Sequence, residues 1–388
     1  MPRKKNKRKA VEELESPDQE GAGLDSMESP DTIVTDFAAL EIENLQSELD
    51  FILTARRSAQ RTNRLSGIVS KLSTSNCSEA LLGRTFSLSQ LARREFKKCS
   101  SDTTPLLRLF QLTCATLLTD AEEFATNCYS EVQDLALKKE ESYNNLAFQA
   151  LAAAVTFSIV NENVIEDIFQ WASRNCVSDS YSHDGPQVLL SALAVTVPER
   201  VSPLFPSFCS LVFSSTVEKQ TSTATLLAVL GEHYITTHRR EKIPKQCTEN
   251  LNEILQQSHR RVQKDDRVSR KRHLSAVLAT LEHGESPSET VIIDRDTLVL
   301  SSWKQLFVYS LVKSVLESGT LHMMTYNHNL REAFGLPPVL HAEEKSTPLP
   351  PMQKLEKVVR LKQHKKEVFQ KRSSQRSKKE AALSLWED

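Results

Sequence analysis

Glycine is scarce in this 388-residue chain: there are nine, and two of them, Gly21 and Gly23, fall in a polar N-terminal stretch. Turn-rich β proteins need glycine at positions of positive φ and helices tolerate little of it, so the shortage points to an all-α protein. The same shortage leaves nothing from which to build a phosphate-cradling loop, and neither G-x-x-x-x-G-K nor G-x-G-x-x-G occurs. There is no H-E-x-x-H and no G-x-S-x-G. The seven cysteines are odd in number and scattered, without a C-x-x-C pair. That scatter reads as reduced thiols in a nuclear or cytosolic protein, packed as small hydrophobes. His233 and His238 are five apart, on opposite sides of a helix, and make poor joint ligands. No metal, cofactor or small-molecule substrate is expected, and no enzyme.

Long apolar runs are also missing. The longest uncharged stretch, Ser142 to Asn161, is interrupted by Asn144, Asn145 and Gln149, and its apolar part is too short to span a bilayer. The basic start is followed by acidic residues rather than an apolar region, so no secretory signal and no membrane association are expected. From Val11 to Ala55 there is no Lys or Arg at all, against thirteen acidic residues.

What is present is segregated charge. The formal net charge of -1 hides six basic residues in the seven from Arg3 to Lys9, and eleven between Lys354 and Lys379 against Glu356 and Glu367. Blocks of one sign repel themselves, stay solvated and serve as interaction tails. A third basic run, Arg260, Arg261, Lys264, Arg267, Arg270, Lys271 and Arg272, precedes a helical segment ending near Leu281.

Between the tails the pattern is helical. Phe37, Leu40, Leu45, Leu49 and Ile52-Leu53 form an apolar stripe on an acidic helix, and a basic segment from Arg56 to Leu72 follows. From Pro105 to about Ser258, pairs of helices start near Pro105, Ser142, Pro186 and Thr221, a spacing compatible with armadillo or HEAT repeats. Ala147-Phe148, Leu151-Ala152, Val155 and Ile159 read as the inward face of the central pair. The fold class expected is an all-α, armadillo/HEAT-like helical-repeat solenoid with a C-terminal αα-hairpin and flexible charged tails. Its divisions are a disordered tail over 1–30, the solenoid over 31–258, a C-terminal block over 259–340, and a Pro-rich linker with a basic, helix-capable tail over 341–388.

The block ends in the hairpin. Ser301 reads as the N-cap of a helix bearing Trp303, Leu306, Phe307, Leu311 and Val315, and Gly319 as its left-handed C′ stop. A second helix carries Leu321, Met324, Leu330 and Phe334 inward until Pro337-Pro338 end it. Trp303 reads as a core anchor. Asn327 and Arg331, one helical turn apart, either present a polar pair to a partner or satisfy local backbone groups and an acidic neighbour. His322, Tyr326 and His328 read as packing or surface residues, for want of a nucleophile with an oriented base.

Trp303, Leu316, Ser318-Gly319, Asn327, Leu330-Arg331, Phe334 and Pro337-Pro338 together resemble the C-terminal conserved block of the interferon-related developmental regulator family. The resemblance runs from about Lys264 to Pro338 and includes Lys271-Arg272, the Ser286 to Thr290 stretch and Val291 to Ile293. Where the family often has glycine before the Ser-Gly pair, this chain has Glu317. A family histidine four residues after the glycine falls on Met323. The resemblance implies a non-enzymatic regulator of gene expression with two possible partners: the ribosome or another RNA-containing particle, or nuclear regulatory proteins. It implies residence in cytoplasm, nucleus or both. Cations that meet phosphates release counterions whatever the base sequence. The expected RNA contacts are therefore the run from Arg260 to Arg272 and, in the tail, Lys354, Lys357, Lys362, Lys365, Lys366, Lys371 and Arg372.

Overall fold

A computed structural model of the chain describes residues 30–55, 58–138, 141–178, 180–213, 216–238, 243–256 and 264–338. Both tails, the linker, and the cations Arg260, Arg261 and Lys354 to Arg372 lie outside the described residues.

Helices pair as the apolar periodicity predicts. After α1 (Pro30–Thr54) come α2 (Ser58–Thr74) with α3 (Thr85–Lys98), and α4 (Thr103–Leu117) with α5 (Glu122–Ala136). Next are α6 (Glu141–Phe157) with α7 (Glu162–Asn175), then α8 (Gly185–Thr196) with the short α9 (Pro198–Val201) and α10 (Phe205–Leu211). The last pair, α11 (Val217–His238) and α12 (Lys245–Gln256), is closed by α13 (Lys264–His283). The leading helices stack on one another in the order α2, α4, α6, α8, α11, α13, forming an inner row. Ala147, Phe148, Leu151, Ala152, Val155 and Ile159 of the central pair are all buried. The alanines of α6 let α4 and α8 approach from either side.

The acidic and basic N-terminal helices meet as their charges predict: Lys71 Nζ lies 3.0 Å from Glu48, and Arg84 pairs with Asp50 at 2.8 Å. Both pairs are partly solvated and add little stability. The stripe on α1 is narrower than expected: Leu45, Leu49 and Ile52 are buried, while Leu40 is exposed.

The C-terminal block departs from a plain αα-hairpin. It opens with a β-hairpin, β1 (Glu289–Ile293) against β2 (Asp296–Leu300), joined by a two-residue turn in which Asp294 takes positive φ, 51°. α14 (Trp303–Leu316) follows, and the second helix is split into α15 (Thr320–Tyr326) and α16 (His328–Ala333). The break is at Asn327, whose side chain caps α16. Leu321, expected inward, is exposed, whereas Met324 and Leu330 are buried. Ser302 rather than Ser301 is the N-cap of α14: its Oγ accepts from Gln305 N–H, while Gln305 Oε1 accepts from Ser301 N–H at 2.8 Å. Gly319 is not left-handed; its φ is -82°, and the positive φ falls at Glu317, 50°. Its glycine is required by close approach, because a Cβ there would sit 1.7 Å from the Ser73 carbonyl oxygen at the end of α2.

This block shares the solenoid's core. Trp303, Phe307, Leu311, Val312, Val315 and Leu316 of α14 belong to the same apolar cluster as Leu107, Leu190 and Leu227 of the inner row. α14 touches α2, α4, α8 and α11, while α15 packs on α2 and α16 on α4. A 14-residue helix is about 21 Å long. In contact with helices from both ends of the row, α14 lies across it, and the inner side of the solenoid is covered there by the chain's own C-terminal block.

Two cysteines also depart from expectation. Cys209 of α10 and Cys247 of α12 form a disulfide, their Cα atoms 4.9 Å apart. The two helices pack on each other, and a sequence separation of 38 carries no signal of it. The other five are free, and four of them, Cys77, Cys114, Cys128 and Cys176, are buried.

Candidate docking site on the inner face

Of the residues that carry the family resemblance, Trp303, Gly319 and Asn327 meet the solenoid, while Arg331 and Phe334 hold the C-terminal block together. Trp303 begins α14, and its backbone N–H donates to Glu232 Oε2 at 2.8 Å, a carboxylate from α11 placed at a helix N-terminus. Its indole Nε1 donates to Thr280 Oγ1 of α13 at 2.7 Å, and its ring stands edge-on to His273 at 5.3 Å. A core-anchor role is what the structure shows.

Asn327 is almost fully buried. Its Oδ1 accepts from Leu330 N–H at 2.9 Å, capping α16, while Nδ2 donates to Asn76 Oδ1, Ser78 Oγ and the Thr116 carbonyl at 3.2 to 3.3 Å. Arg331 is equally buried; Nε donates to the Pro337 carbonyl at 2.7 Å, Nη1 to that of Met324 at 3.1 Å, and Nη2 pairs with Asp296 of β2. Of the two readings of this pair the inward one holds: Asn327 caps α16 and Arg331 pairs with an acidic neighbour, and Asn327 also reaches the distant Asn76, Ser78 and Thr116. Phe334 meets Tyr309 edge-on over the small core beneath the β-hairpin, where Leu336 is also buried. Pro337 and Pro338 are exposed where α16 has ended. His322 lies against Tyr326, ring centroids 4.8 Å apart and tilted by 50°, and both His322 and His328 are exposed at the surface.

A groove of about 680 Å³ remains between α14 and the last inner helices, α8, α11 and α13. Ser191, Ser222, Thr225, Ser310 and Ser314 line it with Asp184 and Arg272, beside the apolar Val188, Leu306, Phe307 and Leu311. His273 forms part of the floor and hydrogen-bonds Thr225 Oγ1 at 3.1 Å; burial holds its pKa below the usual 6.5. Such a lining mixes hydroxyls with apolar surface and sets no nucleophile beside an oriented base. The buried thiols do not change this, since burial pushes Cys114 up to about 12 and raises Cys128 and Cys176 as well. Among the described residues no three His, Cys, Asp or Glu side chains are placed to hold a metal, and no helix is long and apolar enough to cross a membrane.

The basic run divides. Lys271 and Arg272 are both exposed, and Arg272 lines the groove. Arg270 is buried, with Nη2 donating to Gln220, and desolvation lowers its pKa. A guanidinium committed to the α11–α13 interface cannot meet a phosphate, so Arg270 leaves the set of expected RNA contacts. Lys264 and Arg267 lie in the first turn of α13, but their side chains are outside the described residues. Sequence reasoning missed Glu232, Thr280, Asn76 and Ser78, the partners of Trp303 and Asn327. Each is an ordinary helix or loop residue, and nothing local marks it.

No protein-family model matches the chain. The chain is 35% identical over 91 residues to interferon-related developmental regulator 2 of Mus musculus; the alignment covers 24% of this chain and 21% of that protein. Among solved structures it is similar to a designed armadillo repeat protein, with a TM-score of 0.43 and 13% identity over 61% of this chain and 100% of that one.

Proposed function

We propose that the chain belongs to the interferon-related developmental regulator family and acts as a non-enzymatic regulator of gene expression that docks on a ribosome or another RNA-containing particle. The observation that supports this reading is that the C-terminal block covers much of the inner row while the sequence places a dense basic run after it. An open solenoid offers its concave surface to extended partners. Here that surface is largely taken up by α14, α15 and α16. Lys271 and Arg272 are exposed on α13, and the sequence places eleven further basic residues from Lys354 to Lys379, outside the described residues. A cationic segment tethered to a rigid body suits a polyanionic channel, where phosphates set affinity and base sequence is not read. Recruitment of nuclear proteins through the concave surface, the competing reading, loses support because that surface is already occupied.

The test is binding of the full-length chain to purified small ribosomal subunits across a salt series. Seven tail cations, Lys354, Lys357, Lys362, Lys365, Lys366, Lys371 and Arg372, each meeting one phosphate, give a slope of log affinity on log salt of roughly -5 for single-stranded RNA. Replacing all seven with glutamate removes most of the slope and weakens binding at low salt at least about tenfold. An unchanged slope in that variant refutes the reading.

A further inference from the structure

The β-hairpin leaves one strand edge open over a groove. Its two-residue turn makes Ile293 and Asp296 the first hydrogen-bonded pair, so Val291 with Leu298 and Glu289 with Leu300 are bonded likewise. The intervening Thr290 and Ile292 then turn their backbone N–H and C=O groups away from β2. No third strand covers them among the described residues. Natural sheets blunt such edges with lysine, proline or a bulge. This edge has none: its outward positions are Thr290 and Ile292, and Ile292 is 71% exposed.

Beside the edge runs a groove of about 500 Å³, floored by Tyr309 and Lys313 of α14 and by Thr320 and Leu321 of α15. The inward face of the hairpin, Val291, Ile293, Leu298 and Leu300, rests on Tyr309, Phe334 and Met324. A further strand beside β1 would continue that sheet across Tyr309 and Leu321. Apolar side chains are already exposed there: Ile292 and Leu321, both lining the groove, are 71% and 51% exposed.

We propose that the β1 edge is a docking site for an extended peptide segment of a partner protein, which adds to the hairpin as a third strand. The occupant follows from the chemistry of the edge. A row of alternating open donors and acceptors is matched by an extended backbone, and a floor of Tyr309 and Leu321 selects apolar or β-branched side chains at every second position. RNA is disfavoured, since the lining carries Glu289 and Glu317 against Lys313 alone. This site is separate from the cationic surfaces and does not depend on them.

The experiment uses the full-length chain as target for a displayed library of random peptides, followed by synthesis of an enriched peptide with each backbone amide methylated in turn. Strand addition predicts enriched sequences with period-two apolar side chains. It also predicts a loss of about tenfold or more in affinity on methylating alternate amides, with little effect at those between, since only every second amide faces β1. Ile292→Glu and Leu321→Glu, both at exposed positions, should leave the helical circular-dichroism signal intact and abolish binding. Four results overturn the proposal: no enrichment above background, a methylation profile without alternation, binding that survives both substitutions, or self-association of the chain that Ile292→Glu abolishes. The last would make the occupant a second copy.

Discussion

Replacing Gly319 with alanine tests whether the C-terminal block is seated as tightly as its contacts indicate. The backbone at Gly319 is right-handed, φ -82° and ψ -4°, so alanine meets no torsional objection. The obstacle is space: the new Cβ falls 1.7 Å from Ser73 O, 2.8 Å from Ser73 C and 2.9 Å from Thr74 Cα. Ordinary contact begins at 3.4 Å, so the start of α15 must move by 3.4 - 1.7 = 1.7 Å, and the neighbour is backbone that cannot swing aside. That shift exceeds what the Asn76 bond to the Tyr326 carbonyl, at 3.0 Å, and the three Asn327 Nδ2 bonds can follow. Overpacking of this kind costs about 1–3 kcal/mol. Two of these bonds, from Asn327 Nδ2 to Ser78 and to the Thr116 carbonyl, are buried, and the loss of each adds about 1 kcal/mol. The expected total is roughly 3–5 kcal/mol. Gly67→Ala is the control, because Gly67 lies inside α2 with nothing within 4 Å of a Cβ. There alanine should stabilise by about 0.5–1 kcal/mol. Urea unfolding of the full-length chain, followed by far-ultraviolet circular dichroism, measures both. A Gly319→Ala variant as stable as the parent refutes the seating.

Trp303→Phe keeps most of the buried ring but leaves Thr280 Oγ1 without its indole donor, and should cost about 1–2 kcal/mol in the same assay; an unchanged midpoint would show that the bond contributes nothing. Glu317→Gly should stabilise by about 1 kcal/mol in thermal unfolding. Backbone strain at φ 50°, ψ -122° is relieved, and the ion pair lost to Arg108 is largely solvated on the glutamate side. A lower melting temperature in Glu317→Gly would count against strain at this turn. His273 makes stability depend on pH. Its folded-state pKa lies below the ordinary 6.5, so below that pH the unfolded chain takes up a proton that the folded chain refuses. Stability should therefore fall as pH drops from about 6.5 toward the lowered pKa, and His273→Gln should flatten that part of the profile; an unaltered profile in the variant rules the residue out.

The helix pairs were legible because the signals that delimit them are local. Pro186 stands in the first turn of α8, where its missing N–H costs nothing, and the buried residues of α6 recur at helical spacing. Local signals also misled. The β-hairpin has no Asn-Gly at its turn but Asp294-Arg295, so only the β-branched Val291 to Ile293 hinted at it. Gly319 was marked as special, but for the wrong reason: a glycine at a helix end has two explanations, and the nearness of Ser73 belongs to tertiary structure. Arg270 sits among exposed cations in sequence and yet turns into the α11–α13 interface, since a charge count does not say which side of a helix faces the core. The contacts that define the inner face, Trp303 with Glu232 and Asn327 with Thr116, cross 71 and 211 residues. No periodicity reaches that far.

The most direct measurement of the central claim is sedimentation of the tagged full-length chain from cell lysate through a sucrose gradient, at low and at high salt, beside a variant ending at Thr347. Docking on an RNA-containing particle through the basic tail predicts that the full-length chain travels with ribosomal particles at low salt, is released at high salt, and stays at the top of the gradient once the tail is removed. A full-length chain that remains at the top under both salts would contradict the account and direct attention to nuclear protein partners.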